Sequence, residues 1–186
     1  MKVFPEGIRF KYPWRQYQQR VLDELELHLD DSHLHVVAPP GSGKTVLGLE
    51  AAIRINKPTL ILSPTLTIRN QWIERLCELF LDTDIVPHWI STEIRKPAFL
   101  TAVTYQGLHA ACCLNSAPGD AEAGDDAGEN IEAGTVRSKH FEEIVKGFQD
   151  IGIGTLVVDE AHHLRNEWWN TLTKIKERLE PIKIGV

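Results

Sequence analysis

The sequence predicts an α/β fold, a mostly parallel sheet with helices on both faces. Three observations carry that expectation. Short apolar runs alternate with segments of helical periodicity along most of the chain, the pattern that lays parallel strands side by side with helical crossovers between them. A glycine-rich loop joins one apolar run to the helix after it, and two adjacent carboxylates close another run. Right-handed crossovers bring both features to the carboxyl edge of the sheet, where α/β proteins bind ligands. At 186 residues, 42% of them hydrophobic and 25% charged, the chain can bury a core as one domain without disulfides or structural metal.

The elements are expected as follows. Residues 14–29 read as a helix, because Tyr17, Val21, Leu22, Leu25 and Leu29 recur at helical spacing with polar residues opposite. Residues 34–37 are a short apolar strand stopped by Ala38-Pro39-Pro40-Gly41. A helix over 44–55 is closed by Asn56 and Pro58, and a strand over 59–62 by Pro64. Residues 68–80 are helical, with Ile68, Trp72, Leu76 and Leu79 on one side. A strand over 85–90 is weakened by Pro87, which has no N–H for a ladder. A strand over 99–103 leads into a helix over 105–113. Helical periodicity resumes over 137–148, followed by a strand at 155–158, a helix at 167–179 and a strand at 182–186.

The net charge is −6, from 20 Lys and Arg against 26 Asp and Glu, which on its face disfavours a polyanionic partner. Yet Asp120, Glu122, Asp125, Asp126, Glu129 and Glu132 fall within 116–134, which holds no Lys or Arg, and these six acids account for the whole imbalance. That segment, SAPGDAEAGDDAGENIEAG, has too little apolar surface to order itself and reads as an acidic, flexible insertion. The three cysteines, Cys77, Cys112 and Cys113, suggest reduced thiols rather than a disulfide framework. With no signal-peptide pattern and no apolar run of about 18 residues, the expected setting is the cytoplasm, with no membrane partner.

Ala38-Pro39-Pro40-Gly41-Ser42-Gly43-Lys44-Thr45 lies between a strand and a helix, the context in which a glycine-rich loop cradles phosphates. Gly41 and Gly43 let the backbone curl so that its N–H groups point inward, and the helix dipole adds to the attraction for anions. Lys44 can reach the β- and γ-phosphates, and the Thr45 hydroxyl can ligate Mg²⁺. Pro40 and Ser42 complete the expected binding loop. The pattern departs from GxxxxGK[ST] at Ala38, where a glycine belongs. Thr155-Leu156-Val157-Val158-Asp159-Glu160-Ala161-His162 carries an apolar strand into two acids. Asp159 can hold Mg²⁺ directly or through water, while Glu160 can orient and deprotonate an attacking water.

Taken together, APPGSGKT and VVDEAHH resemble motifs I and II of superfamily 2 helicases and translocases, in the DEAH-type spelling. Tyr17-Gln18 resembles the Q motif, Ser63-Pro64-Thr65 with Gln71-Trp72 resembles motif Ia, and Thr104-Tyr105-Gln106-Gly107 resembles the motif that follows. The resemblance spans the chain apart from the acidic insertion. It implies a RecA-like P-loop domain over 1–186 that binds ATP and Mg²⁺ and grips a nucleic-acid strand, DNA or RNA. By the same resemblance Gln18 reads the adenine edge, and Thr65, Arg69, Thr104 and Gln106 contact the sugar-phosphate backbone. His162 couples the ATP site to a further motif, and a second RecA-like domain supplies arginine fingers. In the family a Ser/Thr-Ala-Thr motif and the second domain come after a strand like that ending at Val186, so the expectation is the N-terminal motor half of a longer parent, which binds ATP–Mg²⁺ and hydrolyses it only slowly by itself.

Weaker features have plainer readings. His28, His33, His35, His162 and His163 lack metal-ligand spacing. Trp168-Trp169 at helical spacing suits one core-facing and one half-exposed ring better than base stacking. Phe10, Tyr12, Trp14 or Arg15 could pack against adenine or simply anchor the N-terminal segment. Two other functions fit a phosphate loop: a protein-remodelling ATPase of the AAA+ type, or a nucleotide sensor without catalysis. Glu160 argues against the sensor, which needs no base.

Overall fold

The computed structural model describes residues 1–29, 31, 33–35, 41–113 and 129–185, with the backbone alone at 35, 129–138 and 163. Ala38, Pro39, Pro40 and Val186 therefore lie outside the described residues, as does most of the acidic segment. In chain order the elements are α1 (Gln16–Glu26), β1 (His33–His35), α2 (Lys44–Ile55), β2 (Thr59–Ser63), α3 (Leu66–Leu76), β3 (Ile90–Ser91), β4 (Leu100–Thr104), α4 (Tyr105–Cys113), α5 (Glu129–Ile151), β5 (Thr155–Val158), α6 (Asn166–Leu179) and β6 (Ile182–Gly185). The strands form one six-stranded sheet, every pair parallel, in the order β1-β6-β5-β2-β4-β3.

Alternation along the strands divides the core in two. Ile61, Ala102, Val157 and Ile184 face α1, α2 and α3, where Leu22, Leu47, Leu49, Trp72 and Leu76 pack. Leu60, Leu62, Val103, Leu156 and Val158 face α4, α5 and α6, where Leu108, Val145, Phe148, Leu172 and Ile175 pack. A parallel sheet covered on both faces needs such continuous apolar strands, and β2 and β5 are buried at every position. Chains leaving β2 and β5 turn to opposite faces, which opens a crevice at the carboxyl ends of these two neighbours.

Several boundaries differ from expectation, each for a local reason. Helix α1 starts at Gln16 because Arg15 is its N-cap, its N–H donating to Gln18 Oε1 at 3.1 Å. The strand expected over 85–90 shrinks to Ile90–Ser91, since the Ile90 N–H closes a turn onto the Pro87 carbonyl at 3.0 Å. Helix α3 runs on into a π turn at Cys77–Leu81 that ends at Asp82, φ 50°. Helix α5 begins at Glu129 rather than 137, so the last six residues of the 116–134 segment are helical; residues 116–128 lie outside the described part. The N-terminal segment packs as an anchor: Phe4 meets Trp89 and Phe99 edge-on, and Phe10 stacks on Trp14 at 4.2 Å.

Candidate active site

Gly43 precedes α2 in the left-handed conformation, φ +85°, and no side chain caps the helix. The first-turn N–H groups of α2 thus have no capping side chain, the arrangement that suits an anion. The positive φ favours glycine here, and a Cβ would stand 2.8 Å from Gln18 Nε2, so the end of that side chain would have to shift. Gln18 is buried, and its amide donates to the Ser42 carbonyl at 3.1 Å, with the Tyr17 hydroxyl donating to the same carbonyl. Helix α1 therefore holds the loop from behind. The Ser42 Oγ is buried without a hydrogen-bond partner among the described residues, a polar group that a ligand oxygen would satisfy.

Across the crevice, β5 delivers Asp159 and Glu160. Lys44 Nζ donates to Glu160 Oε1 at 3.0 Å, joining the loop to the second acid. The other oxygen, Oε2, lies 3.2 Å from His162 Nδ1. Glu160 itself sits at φ 50°, ψ 51°, a left-handed conformation costly for a side chain with a Cβ and typical of functional turns. Asp159 is buried, its Oδ2 accepting from Trp72 Nε1 at 2.7 Å and its carbonyl from the Tyr105 hydroxyl at 2.6 Å. Burial pushes the Asp159 carboxyl above the usual carboxylate range; the Trp72 N–H opposes the shift, Glu160 adds to it, and Lys44 opposes it. The Tyr105 hydroxyl is pushed far up by burial and by the two carboxylates, so it remains a neutral donor.

These residues line two adjoining hollows. One of about 400 Å³ is bounded by Gly41, Lys44, Thr45, Asp159 and Glu160 together with Gln71 and Arg75 of α3. The second, about 290 Å³, lies among Phe10, Tyr12, Arg15, Gln18 and Ser42, and both hollows share Gly41, Gly43 and Val46. The two hollows thus meet at the glycine loop. No group of three or more His, Cys, Asp and Glu side chains forms a metal cluster among the described residues. Mg²⁺ needs none, since it keeps waters and takes one or two protein ligands plus phosphate oxygens. Thr45 and Asp159 fit that donor set.

The residues expected to touch nucleic acid stand apart from this cluster, at the starts of α3 and α4. Thr65 caps α3, accepting the Ile68 N–H at 3.2 Å, and Thr104 accepts the Gly107 N–H at 3.0 Å. Arg69 holds Asn70 Oδ1, and Gln106 is exposed. The place of Arg75 in the larger hollow and the bonds that Trp72 and Tyr105 make to Asp159 emerge only in three dimensions. Spacing held a signal for the first: Ile68, Gln71 and Arg75 follow at three and four residues and line one face toward the loop. Trp168 is partly buried against Tyr105, while Trp169 is 45% exposed beside Lys183.

The family model for the res subunit of type III restriction enzymes matches residues 11–186. The chain belongs to this family. Its resemblance to superfamily 2 helicases therefore holds at family level, and the domain is a helicase-type ATP-binding domain with a RecA-like sheet. Among curated proteins it is 31% identical over 165 residues to a putative DNA 3'-5' helicase Rad25 of Halobacterium salinarum, covering 88% of this chain. The chain spans 22% of the length of that relative. Among the described residues no helix is long and apolar enough to cross a membrane.

Proposed function

We propose that this res-subunit domain is the ATP-binding half of an ATP-driven nucleic-acid helicase or translocase. The observation that carries the reading is the meeting of Lys44 with Glu160 at 3.0 Å, beside Asp159 and the uncapped start of α2. It joins a phosphate-binding cation to a base within reach of one ligand.

In this reading the N–H groups of residues 41–45 and the Lys44 ammonium bind the β- and γ-phosphates, and Lys44 exchanges its carboxylate partner for the more highly charged phosphate. Thr45 and Asp159 hold Mg²⁺, which when bound neutralises charge on the phosphate oxygens. Glu160, relieved of Lys44 and steadied by His162, takes the proton from the attacking water. Gln18 and the hollow beside Phe10 and Tyr12 receive the adenine. Thr65, Arg69, Thr104 and Gln106 contact the backbone of DNA or RNA, and rapid turnover draws on a second RecA-like domain. The name of the Halobacterium salinarum relative favours DNA as the track.

Equilibrium titration of this chain with a fluorescent ATP analogue and Mg²⁺ tests the nucleotide half of the proposal. Binding is expected in the micromolar range or tighter, with at least a roughly tenfold loss in Lys44→Ala, the scale of one charge-assisted contact. Equal binding by the two proteins would contradict it.

A further inference from the structure

Asp159 is gripped from two sides by aromatic side chains, and each comes from a helix whose first turn carries candidate nucleic-acid contacts. Trp72 lies on α3, two turns after its cap Thr65, and donates from Nε1 to the Asp159 carboxylate at 2.7 Å. Tyr105 opens α4 between Thr104 and Gln106, and its hydroxyl donates to the Asp159 carbonyl at 2.6 Å. Both rings are almost fully buried, at 1% and 2% exposure, so neither can move without moving its neighbours. Tyr105 is further stacked at 6.5 Å and 19° on Trp168 of α6, with the Arg165 guanidinium 5.1 Å from the Trp168 ring centre. The α6 side thus backs the same tyrosine.

The geometry points to Trp72 and Tyr105 as positioning residues that couple nucleic-acid contact at the starts of α3 and α4 to ATP–Mg²⁺ binding through Asp159. Displacement of α3 shifts the donor on the carboxylate, and displacement of α4 shifts the donor on the carbonyl of the same residue. Two buried hydrogen bonds on one residue leave it little independent freedom. The route runs within a single domain and rests on the function proposed above.

Coupling of this kind is a reciprocal change in affinity, so binding alone reads it without turnover. The affinity of a fluorescent, non-hydrolysable ATP analogue with Mg²⁺ is measured on the full-length protein with and without saturating single-stranded DNA, and again with RNA. In the wild type nucleic acid tightens nucleotide binding. Tyr105→Phe keeps the ring and removes one donor; the ratio of the two affinities is expected to shrink roughly fivefold, the factor that a buried hydrogen bond is worth. Each ligand measured alone stays within about twofold, and the melting temperature stays within a few degrees. Trp72→Phe reduces the ratio similarly and raises the Mg²⁺ concentration needed for nucleotide binding; Tyr105→Phe stands alone as the test if Trp72→Phe does not fold.

An unchanged ratio in Tyr105→Phe overturns the inference. So does loss of both affinities in equal proportion with a lowered melting temperature, the mark of a purely structural role. A wild-type protein that binds neither DNA nor RNA removes the proposed function itself, a failure separate from a coupled wild type whose variants stay coupled.

Discussion

Glu160 has one carboxylate oxygen against Lys44 and the other near His162, and its backbone takes a left-handed turn to reach both. The residue types were readable from the chain: a lysine after glycines, two acids after an apolar strand. Their meeting was not, because it depends on two elements 116 residues apart and on the turn at Glu160. Gly43 is equally dependent on context. Its left-handed φ was legible as a glycine in a loop, but the side chain it makes room for, Gln18, comes from α1. Gly43→Ala is expected to cost about 1–3 kcal/mol of stability from backbone strain alone. It also drives a methyl into the Gln18 amide, so nucleotide affinity falls together with the urea midpoint. Retention of both would show that the loop has another conformation open to it.

At the scale of elements, those bounded by strong local signals were fully legible. Helices α2 and α4 and strand β5 fall at the expected residues, fixed by the glycine loop, by Asn56 and by continuous β-branched or leucine runs. Elements whose ends depend on neighbours were less so. The turn that the Ile90 N–H closes onto the Pro87 carbonyl and the π turn after Leu76 are hydrogen-bonding patterns that the periodicity does not record. What holds α1 against α2 also appears only in three dimensions. Arg54 of α2 bonds Glu50 on its own helix at 2.9 Å, the Leu22 carbonyl at 3.3 Å, and the Glu26 carboxylate of α1. Its side chain is 23% exposed, enough burial for these charge-assisted bonds to count. Arg54→Ala is expected to lower unfolding stability by about 1–2 kcal/mol. If Gln18 of α1 reads adenine as proposed, the same change weakens the preference for ATP over GTP. A stability loss with base preference intact would separate α1 docking from base recognition.

For the molecule as a whole, the order β1-β6-β5-β2-β4-β3 explains why distant motifs share one edge of the sheet. The loop before α2, the acids after β5 and the starts of α3 and α4 all lie at the carboxyl edge of the same parallel sheet. The six acids within 116–134 account for the net charge of −6, and the rest of the chain carries 20 Lys and Arg against 20 Asp and Glu. Family membership fits this arrangement, since the matched region runs from residue 11, ahead of Gln18, to the last residue and includes every motif.

In the proposed function, contact with nucleic acid drives ATP hydrolysis at Lys44 and Glu160. Steady-state ATP hydrolysis by the full-length protein, with and without single-stranded DNA or RNA and in the presence of Mg²⁺, tests it most directly. The expected result is a low rate without nucleic acid, a marked rise with it, and a fall of roughly 10²–10⁴-fold in Glu160→Gln, the range of general-base catalysis, while nucleotide still binds. Hydrolysis indifferent both to nucleic acid and to Glu160→Gln would contradict it.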